Sequence, residues 1–119
     1  MITTFLALIL SVTDGDTFKA RLEVWPGIEV VTAVRVVGMD TPEMKGKCPS
    51  EKVAAQAAKV RMTALLASGP VTVTYLNPDK YAGRIDAFVA VNGVNVADTM
   101  IKEGLARTYT GGTRASWCP

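Results

Sequence analysis

Phe18-Lys19-Ala20-Arg21-Leu22-Glu23-Val24 is the stretch from which the fold can be read. Apolar Phe18, Ala20, Leu22 and Val24 alternate with charged Lys19, Arg21 and Glu23. Successive side chains of a strand point to opposite faces, so this period of two predicts a half-buried strand. Upstream, residues 5–13 form a continuous apolar run, read as a strand buried on both faces, and Asp14-Gly15 is the turn that joins the two. The apolar character begins at Met1. With no basic flank and no small-residue cleavage site, it reads as a strand and not as a signal peptide. Downstream, Pro26-Gly27 makes the next turn and residues 28–37 are rich in β-branched side chains, which favour a third strand. Together these segments predict an antiparallel meander.

The pattern then changes. Residues 40–49 hold Pro42, Gly46 and Pro49 and read as a loop. Residues 51–67 are alanine-rich and free of glycine and proline, which predicts a helix. Ser50 is its expected N-cap, Glu51 suits the positive end of the helix dipole, and Gly69-Pro70 ends the run. Val53, Ala57, Val60, Ala64 and Leu65 are the expected buried stripe. A fourth strand is predicted over 71–76, a polar loop over 77–83 and a fifth strand over 84–91, closed by the turn pair Asn92-Gly93. A short helix over 96–103 follows, with Gly104 as its C-terminal cap. The tail from 110 to 119 has no periodicity.

Five strands with a helix between the third and fourth predict a mainly β fold with α: a five-stranded OB-fold barrel with one long and one short C-terminal helix. The 119 residues fit one domain, with barrel and helices over 5–109 and an irregular tail. No stretch approaches the roughly 18 apolar residues of a spanning helix, so no membrane partner is expected.

Composition narrows the chemistry. The chain has no histidine, which excludes a Ser-His-Asp hydrolase and any mechanism with a histidine base. With only two cysteines besides, a four-ligand zinc site is excluded in practice, and any metal should be held by oxygen. A net charge of +2 is too mild to announce a nucleic-acid ligand by itself, so a phosphate-rich partner needs a local basic cluster. Cys48 and Cys118 either pair, closing a long loop, or are two free thiols. Pairing would favour an oxidising compartment and export; localisation is otherwise unread.

Three aspartates, Asp14, Asp16 and Asp40, lie in two different turns. Each turn alone is only a turn. If both meet at one barrel end, they offer a hard cation an oxygen cluster. Arg35 interrupts an apolar strand five residues before Asp40, and Arg84 starts another strand. Two guanidinium groups there would grip a phosphodiester and stabilise charge developing on it, while Glu43 could deprotonate a water.

These residues resemble the staphylococcal nuclease (thermonuclease) family. The likeness covers about residues 5–110. It rests on Asp14-Gly15-Asp16-Thr17, on Arg35 followed by Asp40-Thr41-Pro42-Glu43, on Asp79-Lys80-Tyr81-Ala82-Gly83-Arg84, and on Gly104-Leu105-Ala106. The resemblance implies an OB-fold and calcium-dependent cleavage of DNA and RNA phosphodiesters that leaves 3′-phosphate ends. It makes Asp16, Asp40 and the carbonyl of Thr41 the Ca2+ ligands, with Asp14 in support. It makes Arg35 and Arg84 the phosphate-binding arginines and Glu43 the general base. Lys80, Tyr81 and Tyr109 are the implied nucleotide contacts. Ala82 is an extra residue relative to the family pattern, and the third helix is replaced by the tail. A Cys118–Cys48 bridge would pin that tail, with Trp117 covering apolar surface and Arg114 either in solvent or adding a phosphate contact.

The expectation is thus a metal-dependent endonuclease or exonuclease acting on DNA and/or RNA, with no obligate protein partner and a monomer as its working state. The rival expectations are a catalytically inactive OB-fold module that binds nucleic acid, and a structural or oligosaccharide-binding barrel with fortuitous acidic loops.

Overall fold

The computed structural model describes residues 3–119. Met1 and Ile2, the start of the predicted first strand, lie outside them. Strands β1 (Thr4–Asp14), β2 (Thr17–Trp25) and β3 (Ile28–Val36) form the expected meander. The short β4 (Met39–Asp40) leads into a loop and helix α1 (Pro49–Leu66). Then come β5 (Val71–Pro78), β6 (Arg84–Val91), the short β7 (Val94–Asn95), helix α2 (Val96–Lys102) and β8 (Arg107–Thr108).

The sheet order is β3-β2-β1-β5-β6-β7, and a parallel pairing of β3 with β6 closes it. The result is a closed barrel of five strands, β1, β2, β3, β5 and β6, with two helices. The closure matters for function. It puts Arg35 beside Asp86 and Ala33 beside Arg84, so residues 51 apart in sequence share one barrel end. Phe18, Ala20 and Leu22 fill the interior with Val34, Val36, Val73, Ala87 and Val89. This bears out the alternation in β2.

Two packing expectations fail, for physical reasons. Strand β1 is buried on one face only: Leu6, Leu8 and Leu10 are 60%, 57% and 42% exposed, while Phe5, Ala7 and Ile9 pack inward. A barrel strand has one interior face, whatever the hydrophobicity of the other. Helix α1 turns a different stripe inward, namely Glu51, Ala55, Ala58, Met62 and Leu66, leaving Val53 and Val60 exposed. Small side chains win because the backbone approaches closely: a Cβ on Gly15 would lie 2.8 Å from Ala58 Cβ. The helix also starts earlier than expected. Cys48 is its N-cap and Pro49 occupies the first turn, where its fixed φ and missing N–H cost nothing, so Ser50 falls inside.

The second half of the barrel follows its turn chemistry. Asn92 and Gly93 both adopt positive φ, 51° and 79°, as a two-residue hairpin turn demands. Asn95 caps α2, its Oδ1 accepting from the amides of Ala97 and Asp98. Gly104, at φ 76°, ends it, with Leu105 N donating to Met100 O.

Candidate active site

One barrel end opens into a cleft of about 750 Å³. Asp14, Asp16, Arg35, Thr41, Glu43, Lys80, Tyr81, Arg84 and Tyr109 all line it. The closure thus brings together all but one of the residues singled out for chemistry. The exception is Asp40, which does not line the cleft and is buried at 3% exposure.

Asp16 sits in the two-residue turn between β1 and β2. Its amide donates to Asp14 Oδ1 at 3.2 Å, and its carbonyl accepts from Val36 N at 2.8 Å. Thr17 Oγ1 donates to Asp16 Oδ1 at 3.0 Å, and Arg35 Nη2 lies 4.0 Å from Oδ2. Burial, and then the neighbouring Asp14, push the Asp16 carboxyl up to about 7; Arg35 and Thr17 pull the other way and lose. A buried acid crowded by a second acid is an environment that a cation would relieve.

Asp40 is held on β4 by pairing with Arg107 of β8. Its Oδ2 accepts from Trp117 Nε1 at 3.0 Å. Its Oδ1 is fully buried and has no well-formed hydrogen bond; it meets only the guanidinium of Arg114, as an ion pair. Arg114 Nη2 also donates to the carbonyl of Thr41 at 3.2 Å, and Nη1 to Glu43 Oε1 at 3.0 Å. Carboxylate oxygens of Asp16 and Asp40 with the Thr41 carbonyl are a hard, all-oxygen donor set. Carboxylates and a backbone carbonyl are the donor types that a calcium ion takes, so the chemistry of the set fits it. Among the described residues, the tight group Cys48, Glu51 and Cys118 is no rival metal centre, because its two sulfurs are bonded to each other.

Glu43 is carried on the loop after β4 and keeps a side chain 58% exposed toward the cleft. The loop is shaped by Glu51, a buried carboxylate at the start of α1. It accepts from Glu43 N at 3.1 Å and Lys47 N at 3.0 Å. Those two amides, followed by the charges of Lys47 and Arg114, hold its pKa below the ordinary value.

Arg35 projects from β3 with its guanidinium 5.9 Å from the ring centre of Tyr109, whose hydroxyl donates to Gly112 O at 2.7 Å. Arg84 opens β6 and is clamped by Asp79, with Nε and Nη2 at 2.9 and 2.8 Å from Oδ2. Tyr81, 59% exposed, lies beneath both Arg84 and Lys80, at 4.9 and 5.3 Å from its ring centre. The extra Ala82 therefore leaves Lys80, Tyr81 and Arg84 on the same cleft wall. Asp86 completes that wall. Its Oδ2 accepts from Asn77 Nδ2 at 3.0 Å, while burial and then Asp79 raise its pKa.

Four members of the site escape the sequence reading. Arg114, expected in solvent or at a phosphate and not on Asp40, reaches into the cleft because the Cys48–Cys118 disulfide returns the tail to the loop before α1. Trp117 bonds Asp40 and stacks under Arg107, with the guanidinium carbon 3.7 Å from the ring centre, instead of merely covering apolar surface. Glu51 is a loop anchor as well as a helix-start residue. Asp86 is visible only once β3 and β6 are paired. The one signal available in the sequence was the pair of cysteines bracketing loop and tail.

Comparison with known proteins places these residues in context. Residues 33–116 match the family described as staphylococcal nuclease homologue. The chain is 32% identical over 104 residues to an uncharacterized endonuclease of Escherichia coli O157:H7, covering 85% of this chain and 59% of the relative. It is 36% identical over 97 residues to the SPbeta prophage-derived endonuclease YokF of Bacillus subtilis (strain 168), covering 79% of this chain and 31% of the relative. The same identity, length and share of this chain hold for endonuclease YncB of that strain, of which 43% is covered. The chain thus spans between 31% and 59% of the length of these relatives, less than two thirds of each.

Proposed function

This chain belongs to the staphylococcal nuclease family, and from that premise we propose that it is a calcium-dependent nuclease. Its substrates would be DNA and/or RNA, its reaction phosphodiester hydrolysis, and its products 3′-phosphate ends. The observation that carries the reading is the meeting of Arg35, Arg84 and Glu43 in one cleft with the Asp16 and Thr41 oxygens. Asp16, Asp40 and the Thr41 carbonyl would hold the ion, which when bound supplies charge neutralisation at the phosphate.

The rest is chemistry of the chain's own side chains. Arg35 and Arg84 would donate to the non-bridging phosphate oxygens, most strongly as negative charge grows on them in the transition state. Glu43, exposed on its anchored loop, would accept the proton of the attacking water. Lys80, Tyr81 and Tyr109 would seat the flanking nucleotide, the aromatic rings offering stacking surfaces. Asp14 would steady the turn that carries Asp16. The disulfide supports an exported protein. No helix among the described residues is long and apolar enough to cross a membrane.

Digestion of plasmid DNA and of single-stranded RNA, with calcium and with chelator, tests the reading. Cleavage that needs calcium and falls about 10²-fold or more in Arg35→Ala or Arg84→Ala is the expected result, on the scale of one lost transition-state donor. Retardation of nucleic acid in a gel without cleavage, whether or not calcium is present, would replace the nuclease by a binding module.

A further inference from the structure

We propose that Arg114 is a built-in counter-ion of the candidate cation site, occupying Asp40 and the Thr41 carbonyl so that calcium must expel it to bind. The inference rests on the reading of Asp16, Asp40 and Thr41 as cation ligands. A single nitrogen, Nη2, meets both Asp40 Oδ1 and the Thr41 carbonyl, two of the three assigned donors. The other terminal nitrogen, Nη1, takes Glu43 Oε1 at 3.0 Å, the assigned base. The charge of Asp16 acts on the same guanidinium. One side chain of the tail therefore engages metal ligands and base together.

The physical reason is compensation. Asp40 is almost fully withdrawn from water, and a buried carboxylate without a counter-charge is costly. The tail supplies that charge and neutralises both Asp40 oxygens' demands, Arg114 at Oδ1 and Trp117 at Oδ2. It is also held in place along its length. Tyr109 OH donates to Gly112 O at 2.7 Å, Arg107 Nη1 to Ser116 O at 2.9 Å, and Cys118 is bonded to Cys48. A tethered competitor acts at a high effective concentration, set by the short span of chain that holds it. The apparent calcium affinity is the intrinsic affinity multiplied by the fraction of molecules with Arg114 withdrawn. If that fraction is about one tenth, calcium binds about tenfold more weakly than the donor set would allow. The arrangement is an autoinhibitory contact: the tail quiets Glu43 and shields Asp40 until calcium reaches the level that displaces it.

Calcium titration by calorimetry on the disulfide-bonded full chain tests this, using the parent, Arg114→Ala, Arg114→Gln and Asp40→Asn. Arg114→Gln keeps polar volume without charge, and covers the case in which the alanine variant loses its fold. The expected result is calcium bound about tenfold or more tightly by the Arg114 variants, and binding lost in Asp40→Asn. Equal or weaker calcium affinity in both Arg114 variants, with Asp40→Asn still abolishing binding, overturns the proposal and leaves the cation site standing. A raised KM for DNA alongside that unchanged affinity would make Arg114 a phosphate contact instead. Calcium binding that ignores Asp40, or none in any variant, overturns the reading of the site together with the proposal.

Discussion

Arg84 is aimed by Asp79: two of its nitrogens, Nε and Nη2, converge on the single oxygen Oδ2 at 2.9 and 2.8 Å. The same oxygen also receives the amide of Tyr81 at 3.0 Å, so one carboxylate fixes both the arginine and the turn that presents the aromatic ring. A guanidinium held in this way needs little reorganisation when it donates to a phosphate. Asp79→Asn keeps the size but removes the charge. It should lower kcat on single-stranded DNA by about tenfold or more, while leaving calcium affinity unchanged. Steady-state kinetics beside a calcium titration check it, and an unaltered kcat would show that Arg84 finds its place without Asp79.

The same contact sets an acid limb on stability. Burial of Asp79 works against its ionised form. The hydrogen bonds it shares with Asp86, Tyr81 and Arg84 outweigh that and lower its pKa to about 2 from the ordinary 3.8. A carboxylate whose folded pKa is depressed contributes stability above its unfolded value and loses it as pH falls through the folded one. Between pH 4 and pH 2 the melting temperature should therefore fall, and Asp79→Asn should fall less steeply over that window. Thermal melts of the two proteins across it decide the matter; parallel slopes would remove Asp79 as the titrating group.

Glu51 governs the loop that carries Glu43. Its two oxygens accept from the amides of Glu43 and Lys47, eight and four residues before it. Ionised, it is a better acceptor than the amide of glutamine, so Glu51→Gln should loosen the loop and Glu51→Ala should loosen it more. Hydrogen exchange at the Glu43 and Lys47 amides should quicken in that order. On the proposed reading of Glu43 as the base, nuclease rates should fall with it, since a group on a mobile loop is rarely in position. Exchange rates equal to the parent's would show that the disulfide alone holds the loop.

What the sequence made legible, and what it hid, divides along one physical line. Strand β2, the fifth barrel strand and the Asn92-Gly93 turn were readable because period and turn chemistry are local properties of the chain. The motif residues Asp16, Arg35, Glu43 and Arg84 were readable because their order and spacing survive without the fold. The stripe that α1 buries was misread because it depends on how closely Ala58 can approach Gly15, a distance no periodicity encodes. Arg114, Trp117 and Asp86 were missed because their roles come from contacts over 73, 77 and 51 positions. Nothing in the irregular tail distinguishes an arginine in solvent from one on Asp40; only the closing of the Cys48–Cys118 loop does so.

The approach of α1 to the β1–β2 turn yields the sharpest packing prediction. A Cβ on Gly15 would stand 2.8 Å from Ala58 Cβ and 3.1 Å from Thr41 Cβ and Cγ2. None of these is the far end of a flexible side chain, so helix or turn must shift. Gly15→Ala should cost about 1–3 kcal/mol, the usual range for overpacking. Because the turn carries Asp16 and the other neighbour is Thr41, the shift should also weaken calcium binding. Ala58→Gly removes the closer obstacle at its own cost of about 1 kcal/mol for glycine in a helix. If the clash with Ala58 is the cause, the double variant should be more stable than the sum of the single losses, with a coupling of about 1 kcal/mol or more. Denaturant unfolding of the four proteins measures that coupling. Strict additivity would mean that Thr41 is the obstacle that matters, and calcium binding would then stay weakened in the double variant.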